Sequence, residues 1–239
     1  MPRIEMNEAS IRFFVNPPLN NKDAIYTEAV KRAYSDMSRH TLYYANDKYK
    51  GQSKKATEAR DAIKESIKND LKEMEDQLFS VDSQPDFDKL HLEMCKSVER
   101  AFTSADSDRI IPINATPDKA NDSQRKETFS MGQAQKVVNM VWKYVYLFYQ
   151  YFNAKTNSDY AEKIKSFEKI VKFLHAPVDS YVISAATKDL GCEAPKYPWS
   201  QLYYDEYLDF QKSLRNNLNN YGKPCPFIWE LENYPFRAN

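Results

Sequence analysis

Glycine is scarce in this chain, with 4 glycines in 239 residues. Nucleotide-binding sites of the Rossmann and P-loop types need glycine where the backbone approaches phosphate closely, so both types are disfavoured. Proteins rich in β-turns also contain more glycine than this. Helix-forming residues fill most of the remaining sequence, and the composition therefore favours an all-α fold.

Cysteine is also sparse, and its three positions are Cys95, Cys192 and Cys225. No pair has the spacing of zinc or iron–sulfur ligands, so we expect no metal and no cofactor. An odd, scattered set favours reduced thiols in a cytoplasmic protein. The first residues, MPRIEMNEASIRFFVN, carry charges and lack the apolar core of a signal peptide. No stretch is long enough to span a bilayer, so we expect no membrane partner.

An excess of charge of either sign is absent as well, because 34 basic residues balance 34 acidic ones. A neutral chain does not steer towards nucleic acid as a whole. Any contact with DNA must therefore come from a local basic patch.

Apolar residues recur at helical spacing along most of the chain and predict a series of helices. Their bounds follow from capping residues and from glycine or proline breaks. The predicted helices are Asp23 to Tyr49, Lys54 to Phe79, Asp86 or Asp88 to Ser104, Lys136 to Phe152, residues 158–174, Ser180 to Leu190, and Ser200 or Asp205 to Leu218. The segment Cys225 to Trp229 is apolar, and we expect it to dock on the core.

The predicted fold class is an all-α, multi-helix orthogonal bundle. It fits a single helical domain over residues 1–239, or two lobes, 1–110 and 120–239, with a cleft between them. Residues 105–128 are polar and contain two prolines, so this loop is the expected boundary between the lobes. The helix from Lys136 to Phe152 is apolar nearly all round, which predicts a buried central helix.

Two residues at helix starts could carry chemistry together. Lys136 begins the predicted central helix, where burial favours the free amine, and such an amine attacks electrophilic carbon. Asp179 begins another helix, where a fixed carboxylate can stabilise positive charge that develops on a sugar. Two simpler readings stay open, because lysines at such positions commonly extend to solvent and Asp179 is a suitable N-cap.

The segment Gly132-Gln133-Ala134-Gln135-Lys136-Val137-Val138-Asn139-Met140 resembles the hairpin and following helix of helix-hairpin-helix DNA glycosylases. The tripeptide Pro177-Val178-Asp179 is similar to the Pro-Val-Asp of that family, which contains its second catalytic residue. The segment Pro226-Phe227-Ile228-Trp229 resembles the tail of the archaeal 8-oxoguanine glycosylase branch. The resemblance implies removal of an oxidised purine such as 8-oxoguanine, with Lys136 as nucleophile and Asp179 as its partner. A β-lyase step would follow from the Schiff base.

The same resemblance implies a complex with damaged double-stranded DNA. A phosphate is expected at the backbone N–H groups of the hairpin, Met131, Gly132, Gln133, Ala134 and Gln135. Salt-dependent contacts are expected from Arg125, Lys126 and Lys143. A flipped base is expected in a pocket lined by Trp142, Tyr144, Phe173 and His175. Aromatic residues at helical spacing are also typical of a core, and His175 can equally be a packing histidine.

Two features favour a different function on the same fold. Ala134 stands where the family has a second hairpin glycine, and Lys136 lies 43 residues from Asp179, more than is usual in the family. These features, with the neutral net charge, favour a catalytically inactive helical module that binds nucleic acid or a protein partner. A third possibility is an unrelated helical protein in which the motifs are accidental.

Overall fold

The computed structural model describes residues 22–38, 53–104, 129–156 and 160–233. Within them the fold is all-α, as the composition predicted. Nine α-helices and one 3₁₀ turn lie in these ranges: α1 (Lys22–Ser38), α2 (Ser53–Glu73), α3 (Glu75–Phe79), α4 (Gln84–Ser104), α5 (Met131–Thr156), α6 (Ala161–Ile170), α7 (Ser180–Leu190), the 3₁₀ turn Trp199–Gln201, α8 (Tyr204–Asn220) and α9 (Pro226–Asn233). No described helix has the length and apolar character needed to cross a membrane.

Helix α5 is the centre of the bundle, and it packs against α1, α4, α6, α8 and the 3₁₀ turn. Almost every residue from Gly132 to Tyr149 is buried, which confirms the prediction of a central helix. One hydrophobic core joins α5 to the helices before it and to α6. A second core joins α7, the 3₁₀ turn and α8, and the boundary between the two cores falls near residue 175. The predicted boundary loop, 105–128, lies outside the described residues.

A buried carboxylate ties four helices of the first core together. Glu75 of α3 accepts hydrogen bonds from the hydroxyls of Tyr26 and Tyr149, at 2.9 and 2.7 Å. It also accepts from the ammonium groups of Lys22 and Lys163, at 2.5 and 2.6 Å. These four donors come from α1, α5 and α6, so the Glu75 side chain is satisfied inside the fold.

Local signals explain the two ends of α7. Asp179 caps α7 by accepting from the backbone N–H groups of Tyr181 and Val182, and α7 ends at Gly191, whose φ is 68°. Both ends match the predicted bounds, and the φ of Gly191 is one that glycine adopts without strain. The predicted apolar anchor forms α9, and its Phe227 and Trp229 are buried in the two cores.

Helix α5 begins five residues earlier than predicted, so the expected hairpin is part of a helix. The reason is a capping box formed by Ser130 and Gln133. The Ser130 hydroxyl accepts from the Gln133 N–H at 3.1 Å, and the Gln133 side chain accepts from the Ser130 N–H at 2.9 Å. The sequence Ser-x-x-Gln was a local signal for this start.

Gly132 lies where α5 meets the 3₁₀ turn, and it leaves no room for a side chain. A Cβ there would overlap the carbonyl oxygen of Trp199 and lie 3.1 Å from the backbone nitrogen of Leu202. The Gly132 N–H also donates to the Leu202 carbonyl at 2.9 Å, which holds the two segments in contact.

We expect Gly132→Ala to lower the free energy of unfolding by about 2 kcal/mol. The overlap with fixed backbone costs about 3 kcal/mol, and the higher helix propensity of alanine returns about 1 kcal/mol. Chemical denaturation followed by circular dichroism measures the change. A variant more stable than wild type would show that propensity alone governs this position and that the close contact is absent.

Candidate active site

The structure brings Lys136 and Asp179 together across the 43 residues that separate them. The Lys136 Nζ donates to the Asp179 Oδ2 at 3.2 Å. Helix α5 carries the lysine, and the N-terminus of α7 holds the carboxylate, whose Oδ1 accepts two backbone N–H groups at 2.9 Å. The two side chains are therefore in contact, which is the condition on which the predicted chemistry depends. The catalytic roles of the two residues stay a prediction.

The pair is sheltered, but one side of it reaches the surface. The side chain of Lys136 is 8% exposed and that of Asp179 is 22% exposed. The ring of Trp199 covers the ammonium, with its centroid 4.7 Å from Nζ, a distance at which a cation is attracted to an aromatic face. The more exposed member of the pair is therefore Asp179, at the start of α7.

A second buried ion pair interacts electrostatically with the first. The Lys143 Nζ donates to the Glu230 Oε1 at 2.7 Å, and the two side chains are only 5% and 6% exposed. Burial raises the pKa of Glu230, with Lys143 opposing the rise, and Asp179 and Lys136 also act electrostatically on Glu230. We call Lys136, Asp179, Lys143 and Glu230 the charge cluster.

Glu230 also has a polar atom that the fold leaves unsatisfied. Its Oε2 is buried and has no hydrogen-bond partner in the described part of the chain. A buried acceptor without a donor is costly, so this atom requires an explanation. Glu230 was not among the residues predicted for the site, although an acid inside the apolar run Pro226 to Leu231 was a signal.

The predicted phosphate site is not presented to a ligand. The N–H of Gly132 donates to Leu202, and the N–H groups of Gln133 and Ala134 donate to the Ser130 carbonyl at 3.0 Å. The side chain of Gln135 is fully buried, and that of Met131 packs against the first core. These residues therefore serve the capping box and the packing of α5 in this structure.

Of the three residues predicted to make salt-dependent contacts with DNA, the structure describes only one. Arg125 and Lys126 lie outside the described residues. Lys143 belongs to the charge cluster, where Glu230 accepts its hydrogen bond, and it is buried. We therefore correct the expectation that Lys143 offers a surface contact to a DNA phosphate.

The four residues predicted to line a base pocket contact different neighbours. The Trp142 indole donates to the Met94 sulfur at 3.3 Å, and the Tyr144 hydroxyl donates to Asp36 at 2.5 Å, so both are core residues facing α4 and α1. The half-buried Phe173 lies beneath the Lys172 ammonium. Trp142 and Tyr144 therefore fit the alternative interpretation, in which these aromatic residues belong to the core, better than they fit a base pocket.

His175, the fourth residue, belongs to a buried chain of hydrogen bonds. Its Nε2 contacts the Asp88 carboxylate at 3.0 Å, and its Nδ1 contacts the Tyr207 hydroxyl at 2.8 Å. Because Nε2 donates to Asp88, Nδ1 accepts from Tyr207. The Tyr207 oxygen in turn accepts from the Asn139 amide at 2.9 Å, and the Asn139 oxygen accepts from the His91 Nε2 at 3.1 Å. We call these five residues the polar network.

A thiol lies at the end of the polar network, and its burial argues against a nucleophile. The Cys95 sulfur is 3.6 Å from the His91 Nδ1. The His91 imidazole thus contacts the Cys95 thiol on one side and the Asn139 amide on the other. Burial raises the pKa of Cys95 well above its usual value, and the residue is inaccessible to solvent. A protonated, enclosed thiol cannot act on a substrate. Among the described residues, no group of His, Cys, Asp and Glu is arranged to hold a metal ion.

The polar network predicts that the protein loses stability in mild acid. Burial lowers the pKa of His91 well below its usual value, and it lowers that of His175 against the opposing effect of Asp88. Below pH 6.5 the unfolded chain therefore binds protons that the folded chain does not. We expect the free energy of unfolding to fall as the pH falls from 7 to 5, by up to about 1.4 kcal/mol per pH unit for each histidine.

Denaturant titrations of wild type, His91→Gln and the His91→Gln, His175→Gln double variant at several pH values measure this slope. The single variant should reduce the slope and the double variant should reduce it further. Wild type and His91→Gln form the cleaner comparison, because in both of them hydrogen bonds from His175 and Gln84 oppose the burial of Asp88 and keep its pKa lowered. Equal slopes in all three proteins would contradict the neutral state of the buried histidines.

Comparisons of the chain with models of protein families, with curated proteins and with solved structures give no match. The relation to helix-hairpin-helix glycosylases thus depends on the sequence motifs and stays a prediction. The geometry of the Lys136–Asp179 pair is independent of that relation and has to be explained by any function assigned to this chain.

Proposed function

We propose that the chain is a helical DNA glycosylase that removes an oxidised purine such as 8-oxoguanine, with a β-lyase step after base release. One observation carries the proposal: the Lys136 amine lies 3.2 Å from an Asp179 carboxylate that is itself fixed as the N-cap of α7. An amine beside a fixed carboxylate is the pair that Schiff-base cleavage of an N-glycosidic bond requires.

In this mechanism Lys136 first gives up a proton, for which the Asp179 carboxylate is the nearest acceptor. The free amine attacks the sugar C1′, the N-glycosidic bond breaks, and the bonding electrons leave with the base, which takes up a proton. Asp179 transfers the proton that it took from Lys136 to the departing base and, as a carboxylate again, stabilises the positive charge on the sugar. The ring C1′–O bond then opens to give an iminium between Lys136 and C1′, and loss of a C2′ proton expels the 3′ phosphate.

The surroundings of the pair fit this chemistry in two ways. Trp199 and the apolar core exclude water from the amine, and electrostatic interactions strengthen where water is excluded. The Lys143–Glu230 pair acts electrostatically on the same site, since Glu230 interacts with both Lys136 and Asp179. Since the chain has no net charge, binding of DNA would depend on local contacts near the start of α7.

The test is borohydride trapping of the full chain on duplexes with one modified base. Separate duplexes carry 8-oxoguanine, another oxidised purine, an oxidised pyrimidine or no damage, and base release is measured in parallel. We expect a covalent adduct and base release with at least one oxidised purine and none with the undamaged duplex. No adduct and no base release on any duplex would overturn the proposal.

A catalytically inactive helical module is the second candidate. It is favoured by the observation that both Asp179 oxygens have structural partners, Oδ1 in the cap of α7 and Oδ2 in the ion pair. The occupied N–H groups at the start of α5 favour it as well. A salt-dependent shift of DNA mobility without adduct or base release would select a nucleic-acid-binding module, and no shift would leave a protein partner.

A further inference from the structure

Gln135 is a fully buried glutamine that precedes Lys136 on α5. Its side chain spans the gap between α5 and the segment that leads into α7. The Gln135 Nε2 donates to the Val178 carbonyl at 2.8 Å, and its Oε1 accepts from the Val178 N–H at 3.2 Å. The side-chain amide thus pairs with both backbone groups of the residue before Asp179.

The remaining hydrogen-bonding capacity of this amide is also used. Its Nε2 donates a second bond to the Gly132 carbonyl at 2.8 Å, and its Oε1 accepts a second bond from the Asn139 amide at 3.1 Å. Two donors and two acceptor positions are therefore all satisfied. A side chain with four partners in a buried site has one orientation, so it fixes the peptide that it holds.

We call the two hydrogen bonds between the Gln135 amide and the Val178 backbone the clamp. The clamp acts on both members of the pair, because Gln135 is adjacent to Lys136 and Val178 is adjacent to Asp179. We propose that Gln135 is the positioning residue that sets the distance between the Lys136 amine and the Asp179 carboxylate. This role rests on the proposed function. The new element is that one side-chain amide, hydrogen-bonded to neither reacting group, determines how the amine and the carboxylate are aligned.

The cap of α7 complements this clamp. Two backbone N–H groups of α7 hold the Oδ1 of Asp179, which leaves Oδ2 directed at Lys136. The cap fixes the carboxylate relative to α7, and Gln135 fixes the start of α7 relative to α5. Loss of the clamp therefore shifts the carboxylate relative to the amine without removing either group.

Gln135→Met removes the clamp and keeps the length of the side chain, and Gln211→Met is the matched control. Gln211 is also fully buried and donates to the same segment, at the Ala176 carbonyl, at 2.6 Å. Its hydrogen bonds in the described part of the chain go to Ala176 and Tyr207 and not to the residue next to Asp179. If Gln135→Met fails to fold, Gln135→Glu replaces it, since glutamate keeps an acceptor for the Val178 N–H and loses the donors.

Two measurements are made on each variant. The first is single-turnover base release at saturating DNA, together with the Kd for DNA. The second is the interaction free energy between Lys136 and Asp179, obtained from the free energies of unfolding in a double-mutant cycle with Lys136→Met and Asp179→Asn. Asparagine keeps the N-cap of α7 and removes only the charge.

For the Gln135 variant we expect a fall in the single-turnover rate of about 10–100-fold with an unchanged Kd, as for a displacement of about 1 Å at a reacting group. We also expect the Lys136–Asp179 coupling to be lost. The Gln211 variant should keep both the rate and the coupling. An unchanged rate or an unchanged coupling in the Gln135 variant would overturn the positioning role. If wild type itself releases no base, the proposed function fails, and the coupling alone decides whether Gln135 aligns the pair.

Discussion

Replacement of Lys136 by methionine is expected to abolish the covalent adduct and to lower single-turnover base release by about a thousandfold or more. Methionine keeps most of the apolar stem beneath Trp199 and removes only the amine. Asp179 keeps its two N–H donors from α7 and its partial exposure, so the variant should fold. The measurement is the rate on the duplex that wild type cleaves best, with thermal unfolding as a check on folding.

Lys163→Met is the matched control for that loss. Lys163 is also ion-paired to a buried carboxylate, at 2.6 Å from Glu75, but it belongs to α6 and lies outside the charge cluster. Its loss should affect stability and leave the rate constant unchanged. An adduct that persists in Lys136→Met would assign the nucleophile to another residue.

Replacement of Lys143 by methionine is expected to destabilise the fold by about 3–5 kcal/mol, because it leaves the Glu230 carboxylate buried without its cation. The folded chain can escape part of this cost by keeping a proton on Glu230. Burial already raises the pKa of Glu230. The unfolded chain releases that proton above about pH 4.5, so the folded state binds more protons there and the stability of the variant falls as the pH rises.

The double variant Lys143→Met, Glu230→Gln separates the loss of the pair from the presence of an unpaired charge. Because it removes the charge together with its partner, it should recover most of the stability that the single variant loses. Urea titrations of wild type and of both variants at pH 6 and pH 8 give the comparison. Equal losses in the single and double variants at both pH values would show that Glu230 carries no charge in the folded single variant, contrary to this prediction.

The parts of the fold that the sequence predicted well are those with local signals. Asp179 and Gly191 mark the two ends of α7, and the structure places the helix between them. The apolar character of α5 on all sides predicted its burial correctly. The start of α5 was placed too late because the resemblance suggested a hairpin where Ser130 and Gln133 form a capping box.

The rest of the site depends on contacts between distant residues, for which the sequence contains no periodic signal. The partners Lys143 and Glu230 are 87 residues apart, and Asp88 and His175 are also 87 residues apart. Each of these residues alone is a polar side chain on a mostly apolar element, and only the packing of the helices shows its partner. The Lys136–Asp179 contact was expected from a family resemblance and not from local rules, which could not have selected one lysine and one aspartate among 34 basic and 34 acidic residues.

The most direct test of the account is to identify the atom that becomes attached to DNA. Wild-type protein is reduced with borohydride on its best duplex and digested, and the modified peptide is sequenced by mass spectrometry. We expect a reduced sugar adduct on Lys136, in the peptide that begins α5, and no adduct on Lys143. An adduct on any other lysine, or none on a duplex from which the base is released, would contradict it.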